Sequence, residues 1–442
     1  MVVLLTFGLF TSCKPTAPKA EETTAATETA AATETSAGET TPAEKKFEGV
    51  TIKALLIGGP EYEPWWAKVT ADFEQKTGIK VKYDMLIFEE LMKKEITLSA
   101  AKSSEYDVYS SHHAQIGAFL TSFARLNDYL GDDVNDFPKE QIGPGITKEG
   151  DIIAVPKHTD ARVMYYRTDL FDAAGVKPPT TWDELIQVAQ KLNKPPDQYG
   201  FVITGRGDPF LRQYSDFLWE WGGDFIDKDM KPIFNSPEGI AALQFYSDII
   251  NKYKIVPPDA AGYGWEEPSR LFAQGKIAMV NDWPGLLGMY NDPKTSQIVG
   301  KYSFAPLPAG PKTNITTSVS HMLAINKYSE QKDAAWEFIK YLISKDVLIE
   351  NYKFNGQIPT RTSALKEIVE TAVSPEKERL ASLLAAISTG KTWPVFPEWN
   401  EVAPAIWNEG QAALTQTKTP EQALSDSETA TIKILQRAGY IK

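Results

Sequence analysis

Cysteine is all but absent: Cys13 is the only one in 442 residues. A folded body drawn from the residues after it therefore has no disulfide, no thiol redox chemistry and no cysteine metal site. Histidine is nearly as scarce, with four residues at 112, 113, 158 and 321. His112 and His113 are adjacent, so a strand would turn them to opposite faces, and their spacing marks no metal or cofactor site. Basic charge is in deficit, 46 Lys and Arg against 58 Asp and Glu for a net charge of -12. Nothing forms the concentrated basic face that nucleic acid requires, so the acidic balance reads as solubility. No apolar run beyond residue 13 is long enough to span a bilayer. Catalytic signatures are missing as well: there is no G-x-S-x-G, no H-E-x-x-H and no G-x-x-x-x-G-K-[ST]. The remaining route to catalysis is a carboxylate pair, Glu266-Glu267 or Glu61 with Glu63, whose ordinary meaning is a solvated helix start.

What is present begins with the apolar run MVVLLTFGLFTS, too short for a membrane helix and ending in small polar residues. The stretch Phe10-Thr11-Ser12-Cys13 resembles a bacterial lipobox. That resemblance implies a signal peptide over 1–12 and acylation of Cys13 as the mature N-terminus. From Lys14 to Lys46 there is no Val, Leu, Ile, Met or aromatic residue, and nine Thr, nine Ala and six Glu dominate. Such a segment buries too little to offset its ordering entropy, which predicts a disordered tether over 13–46 with an r.m.s. span of roughly 30 Å.

The remaining stretch of about 395 residues exceeds a single small core and suits two lobes. Strand-like and helical periods alternate, which predicts an α/β fold. Val50 to Ile57 reads as a strand, followed by the Gly58-Gly59-Pro60 turn and a helix carrying Trp66, Val69 and Phe73 that stops at Gly78. Residues 79–83 and 107–109 read as strands, with 110–113 as the loop beyond, and 151–155 as another strand. Thr181 with Glu184 forms a capping box, Ser236-Pro237, Ser374-Pro375 and Thr419-Pro420 open helices, and Ser329 is placed to cap the helix carrying Trp336. There is no internal repeat and no low-complexity break after residue 46, so the lobes must be joined by ordered crossovers, as in a hinge.

Five segments then occur in a telling order. They are Tyr165 to Phe171 with Ala174-Gly175 and Pro179 to Leu185; Leu271 to Trp283 (LFAQGKIAMVNDW); Phe304 to Pro311 (FAPLPAGP); Ala335 to Leu342; and Gly356 to Arg361. The series resembles family 1 of the extracellular solute-binding proteins, the sugar-binding subunits of bacterial ABC importers that include maltose-binding protein. The resemblance runs from about residue 48 to the C-terminus. It implies a two-lobed periplasmic-binding-protein-like fold of type II, a hinge of two or three crossing segments, and one ligand in the cleft. The implied lobes are 47–160 with 312–355, and 161–311 with 356–442.

A sugar presents apolar C–H faces and many hydroxyls, so its site requires flat aromatics and planar polar groups. Trp283 matches the family position at which an aromatic often stacks on a sugar ring. Trp221-Gly222-Gly223-Asp224 resembles the family's Trp…Gly-Gly-Asp run, which makes Trp219, Trp221 and Asp224 candidates, and Trp399 lies in another loop-like context. Open α/β sheets place ligands in the loops after strands. Glu61, Tyr62, His112, His113, His321 and Arg361 qualify on that ground. Asp160 and Arg162 stand at the expected first crossover, either facing ligand or pairing across the lobes. The reading is a lipid-anchored, exported, monomeric binding protein for a mono- or oligosaccharide or polyol, which delivers it to an ABC permease. It uses no cofactor and binds no nucleic acid. The rivals are a surface carbohydrate-active enzyme and a binding protein for a non-sugar solute.

Overall fold

The computed structural model describes residues 47–59, 62–374 and 376–442, with residues 89, 114 and 140 described by backbone alone. Cys13, the tether and Glu61 lie outside the described residues. Polar and apolar residues alternate at the start of β1 (Thr51–Ile57) and along β2 (Lys80–Leu86), as in half-buried strands, whereas β3 (Val108–His112) is buried throughout. β4 (Val155–Ala161), β8 (Ser318–Ile325) and β9 (Ile358–Pro359) complete a six-stranded sheet in the order β2-β1-β3-β8-β4-β9. β1 runs parallel to β2 and β3, whereas β8 is antiparallel to β3 and β4. A second, three-stranded antiparallel sheet takes β5 (Val163–Arg167) at its centre, flanked by β6 (Met279–Asp282) and β7 (Tyr302–Ala305).

Each sheet has its own core. Ile52, Leu56, Trp66, Phe73, Leu323 and Phe338 belong to one apolar cluster on the first sheet. Val163, Tyr165, Val280 and Phe272 form another with Leu348, Tyr352, Leu380 and Leu383 on the second. A large helical core around Phe210, Tyr214, Phe217 and Tyr246 takes in the C-terminal helices Trp399–Leu414 and Pro420–Arg437. Among the described residues no helix is long and apolar enough to cross a membrane.

Local signals hold in part. Helix Glu63–Thr77 carries Pro64 in its first turn and ends on Gly78 at φ 78°, a left-handed cap that glycine adopts without a Cβ clash. Ser236 and Thr419 accept the expected N–H bonds from Gly239 and Gln422. Thr181 accepts from the Glu184 N–H, and the Glu184 carboxylate reaches back to take the N–H and hydroxyl of Thr180 as well. Ser329 does not cap a helix: that helix starts at Lys332, and the Ser329 hydroxyl donates to Asp107 at 2.6 Å. β3 continues through His112 where a loop was expected, because Ser110 to His112 pair with β8. The strand expected over 151–155 begins only at Val155 and runs to Ala161, which places Asp160 inside it. β9 pairs with β4 at residues 358–359, so the six-stranded sheet takes in residues beyond the division expected at 355.

Arg361, expected at the ligand, instead clamps the fold. It donates from Nε to the Ile343 carbonyl, from Nη1 to Asp136 and from Nη2 to Asp133, both at 3.2 Å, while its guanidinium lies 4.7 Å from the Phe137 ring centre. Asp136 also accepts from the Ser363 hydroxyl at 2.6 Å and N–H at 2.9 Å. Burial raises the Asp136 pKa, but the Ser363 bonds and Arg361 outweigh it and leave the group below the ordinary aspartate value. A carboxylate with a depressed folded pKa stabilises above its unfolded pKa of about 3.9, and that stability is lost as pH falls through the folded value. Asp136→Asn is therefore predicted to lose on the order of 1–2 kcal/mol at pH 7. Its melting temperature should converge on that of the wild type only as pH falls below about 4, as read by a thermal melt series. Parallel curves would contradict the clamp.

Candidate functional site

Three adjacent strands of the first sheet bring three histidines into one row. His321 on β8 is the register partner of both His112 on β3 and His158 on β4. The His158 and His321 rings stack at 4.2 Å and 11°, and His112 meets His321 edge-on at 5.3 Å. Asp160 lies two residues after His158 and so on the same face of β4. Its Oδ2 is 3.6 Å from Nε2 of His158 and 3.6 Å from Nε2 of His321. Burial, reinforced by neighbouring imidazole and cationic charge, lowers the pKa of His112 and His158 well below the histidine norm. Burial, Lys157 and Arg212 lower that of His321 to about 3. The imidazoles are thus neutral, and at 3.6 Å these contacts are neither ion pairs nor hydrogen bonds. Burial pushes Asp160 up to about 7 against the opposing charge of Lys157, and draws Lys157 down to about 8 against Asp160. The buried Lys157 ammonium rests 4.8 Å from the Trp66 ring centre.

The second wall starts where the chain leaves β4. Arg162, the one residue between β4 and β5, is 2 % exposed; it donates to Asp216 at 3.3 Å and to the Asn281 carbonyl at 3.2 Å. Asp216, on helix Gly207–Glu220, also accepts from the Thr317 N–H at 2.6 Å and hydroxyl at 2.8 Å. Thr317 ends the return crossover into β8, so one carboxylate holds both crossovers. On the same helix Arg212 donates to Asp208 and stacks its guanidinium 3.7 Å from the Trp393 ring centre. Trp283 is fixed by its backbone: its N–H donates to Asp282 at 2.9 Å and its carbonyl accepts from the Tyr165 hydroxyl at 3.2 Å. The half-buried Trp283 and Trp265 rings lie 6.0 Å apart.

The walls approach closely at two glycines. A Cβ on Gly285 would meet the Tyr62 hydroxyl at 3.3 Å, and one on Gly117 would meet the Phe396 backbone at 2.8 Å. His113 accepts from the Ser320 N–H at 2.7 Å and bonds through Nε2 to the Thr392 hydroxyl, tying 113 to the same 392–396 segment. Among the described residues, several buried polar atoms of these two walls have no hydrogen-bond partner: His158 Nδ1, His321 Nδ1, Asp160 Oδ1, Arg162 Nε, Arg212 Nη1 and both side-chain atoms of Asn281. An unpaired buried polar atom costs about 1–3 kcal/mol, so their grouping marks a place built for a polar partner.

Of the residues expected at a site, Asp160, Arg162, His112, His321, Trp283 and Tyr62 lie along these two walls. Others do not. Trp219 is core, with its Nε1–H bonded to Asp224, and Asp224 pairs with Lys391 at 2.6 Å. Trp221 packs on Phe245 at 4.8 Å, against the same helical core. Trp399 is 2 % exposed and wedged among Phe225, Trp393 and Phe396. Glu267 accepts from the Gly264 N–H and Glu63 from the Tyr83 hydroxyl, while Glu61, the other half of the second expected pair, lies outside the described residues. Lys157, His158, Arg212 and Trp265 were missed. Trp265 directly precedes Glu266, at a helix start rather than inside a core pattern, and that was its one legible signal.

Residues 58–348 match the family model described as bacterial extracellular solute-binding protein. A mannitol-binding protein of Pseudomonas aeruginosa is 28% identical over 336 residues, 71% of this chain and 76% of its own. A probable amino-acid ABC transporter periplasmic-binding protein of Sinorhizobium fredii is 26% identical over 411 residues, 90% of this chain and 92% of its own. Among solved structures, maltose-bound T. maritima MalE3 superposes with a TM-score of 0.80 at 30% identity, covering 87% of this chain and all of that one. A ribitol complex of an Agrobacterium radiobacter ABC transporter solute-binding protein gives 0.77 at 28%, covering 88% of this chain and 99% of that one. The two sheets, the paired crossovers and the walled space between them are the two-lobed architecture of those binding proteins, and the chain belongs to the bacterial extracellular solute-binding proteins, which bind and do not catalyse.

Proposed function

We propose that the chain captures a mono- or oligosaccharide or a polyol between its two walls and passes it to the permease of an ABC importer. One observation carries this reading: Trp283 of the half-buried Trp265–Trp283 pair stands two residues beyond Asn281, whose carbonyl Arg162 holds, and Asp160, Arg162, Asn281 and His158 each keep a buried polar atom without a hydrogen-bond partner among the described residues. Flat apolar faces beside planar donors and acceptors match the two surfaces a sugar offers. The mannitol, maltose and ribitol named for its relatives belong to the same chemical class. One lobe is built on the six-stranded sheet and the other on the three-stranded sheet with the helices after 361; the hinge lies at Arg162 and residues 312–317, and helix Lys345–Asn355 packs its Leu348 and Tyr352 against the second sheet. Closure on ligand is favoured by contacts that are better in the closed state.

Thermal shift of the full chain across sugars, polyols, amino acids and phosphate esters tests the substrate class. A ligand at 100 times its Kd adds about 2.7 kcal/mol to stability. A response confined to sugars or polyols is expected; one confined to amino acids or phosphate esters would overturn the carbohydrate assignment. Trp283→Ala should weaken the binding so found by about 1–3 kcal/mol, and unchanged affinity would remove Trp283 from the site.

Acylation of Cys13 would hold the domain at the membrane on the Thr/Ala/Glu-rich 14–46 segment, as a monomer facing outward. Cys13→Ala is expected to move the protein from the membrane to the soluble fraction of fractionated cells. Continued membrane association would contradict the anchor.

A further inference from the structure

We infer that His158, Asp160 and His321 form a binding site for one divalent transition-metal ion, in a chain whose sequence marks no metal motif. The three ligand atoms, one from each residue, all lie within 4.8 Å of one another. The strand pairing fixes this convergence: His158 faces its register partner His321, and Asp160 follows on the same face of β4. Both nitrogen–oxygen edges of the triangle are 3.6 Å. Bonds of about 2.0–2.2 Å in a tetrahedral shell set ligand atoms roughly 3.3–3.6 Å apart, so these two edges are already at the required length. The third edge closes when the two imidazoles tilt toward each other from their 11° stack.

The donor set also selects the metal. Two imidazoles and one carboxylate suit zinc, cobalt or nickel, whereas calcium and magnesium require a shell of oxygens that this cluster does not supply. Lys157 and Arg212 nearby further disfavour a hard cation held only by charge. The cluster contributes three protein ligands and leaves an open position, the arrangement that keeps a metal available to an outside ligand. A vicinal diol of the ligand is the oxygen donor for the open position, and that last step rests on the carbohydrate reading; the metal site itself does not.

The untagged full chain, stripped with a chelator, is titrated with Co2+ and read by visible absorption. One equivalent is expected to give the intense d–d bands of a tetrahedral site, bleached by Zn2+. Losing an outer-shell partner alone costs metal affinity about 10–100-fold, so His158→Gln and His321→Gln should each weaken cobalt binding by more than about tenfold while retaining the far-UV circular dichroism of the wild type. No d–d bands, or bands retained in both variants, would overturn the site. A sugar-induced thermal shift that persists in excess chelator would leave the carbohydrate reading standing even if cobalt is silent. The two proposals therefore fail separately.

Discussion

The structure depends on one buried carboxylate. Asp216 holds Arg162 from the outgoing crossover and Thr317 from the returning one, while the helix that carries it belongs to the large helical core. A buried ion pair gains little over apolar packing by itself, but breaking one partner leaves an uncompensated charge and is costly. Here the pair fixes where the chain leaves one sheet and enters the other. Both walls of the cleft are referenced to it: Asp160 sits two residues before Arg162, and Asn281, whose carbonyl Arg162 holds, sits two before Trp283.

From that anchor the cleft acquires its character. The first wall offers neutral imidazoles, a carboxyl raised by burial and a lysine lowered by it; the second wall, built from the crossover, helix Gly207–Glu220 and the segment around β6, offers two guanidiniums and a pair of tryptophans. The cost of leaving their polar atoms unpaired is regained when a ligand supplies the missing partners, and this makes binding free energy available for holding the lobes together. No step of this requires bond making or breaking, consistent with a family of binding proteins.

Much of the fold was legible because it rests on local rules. The Gly78, Ser236 and Thr419 boundaries followed from cap chemistry, whereas Trp283 was singled out only through the resemblance of the Leu271 to Trp283 segment to the family. What failed was long-range. Arg162 and Asp216 are 54 residues apart and Arg361 and Asp133 228 apart, so nothing in the linear sequence tells a cleft arginine from a clamping one. Trp219 and Trp399 look like loop aromatics and are core, because helices distant in sequence close over them. His158 was overlooked because its strand was placed too early, at 151–155; the pairing with β8 that aligns it with His321 is visible only in three dimensions.

The central claim is that the two lobes close around a polar ligand about the Arg162–Asp216–Thr317 hinge. Small-angle X-ray scattering of the chain, alone and saturated with the sugar or polyol that raises its melting temperature, tests it most directly. The account predicts a smaller radius of gyration on saturation. An unchanged radius with ligand bound would contradict it.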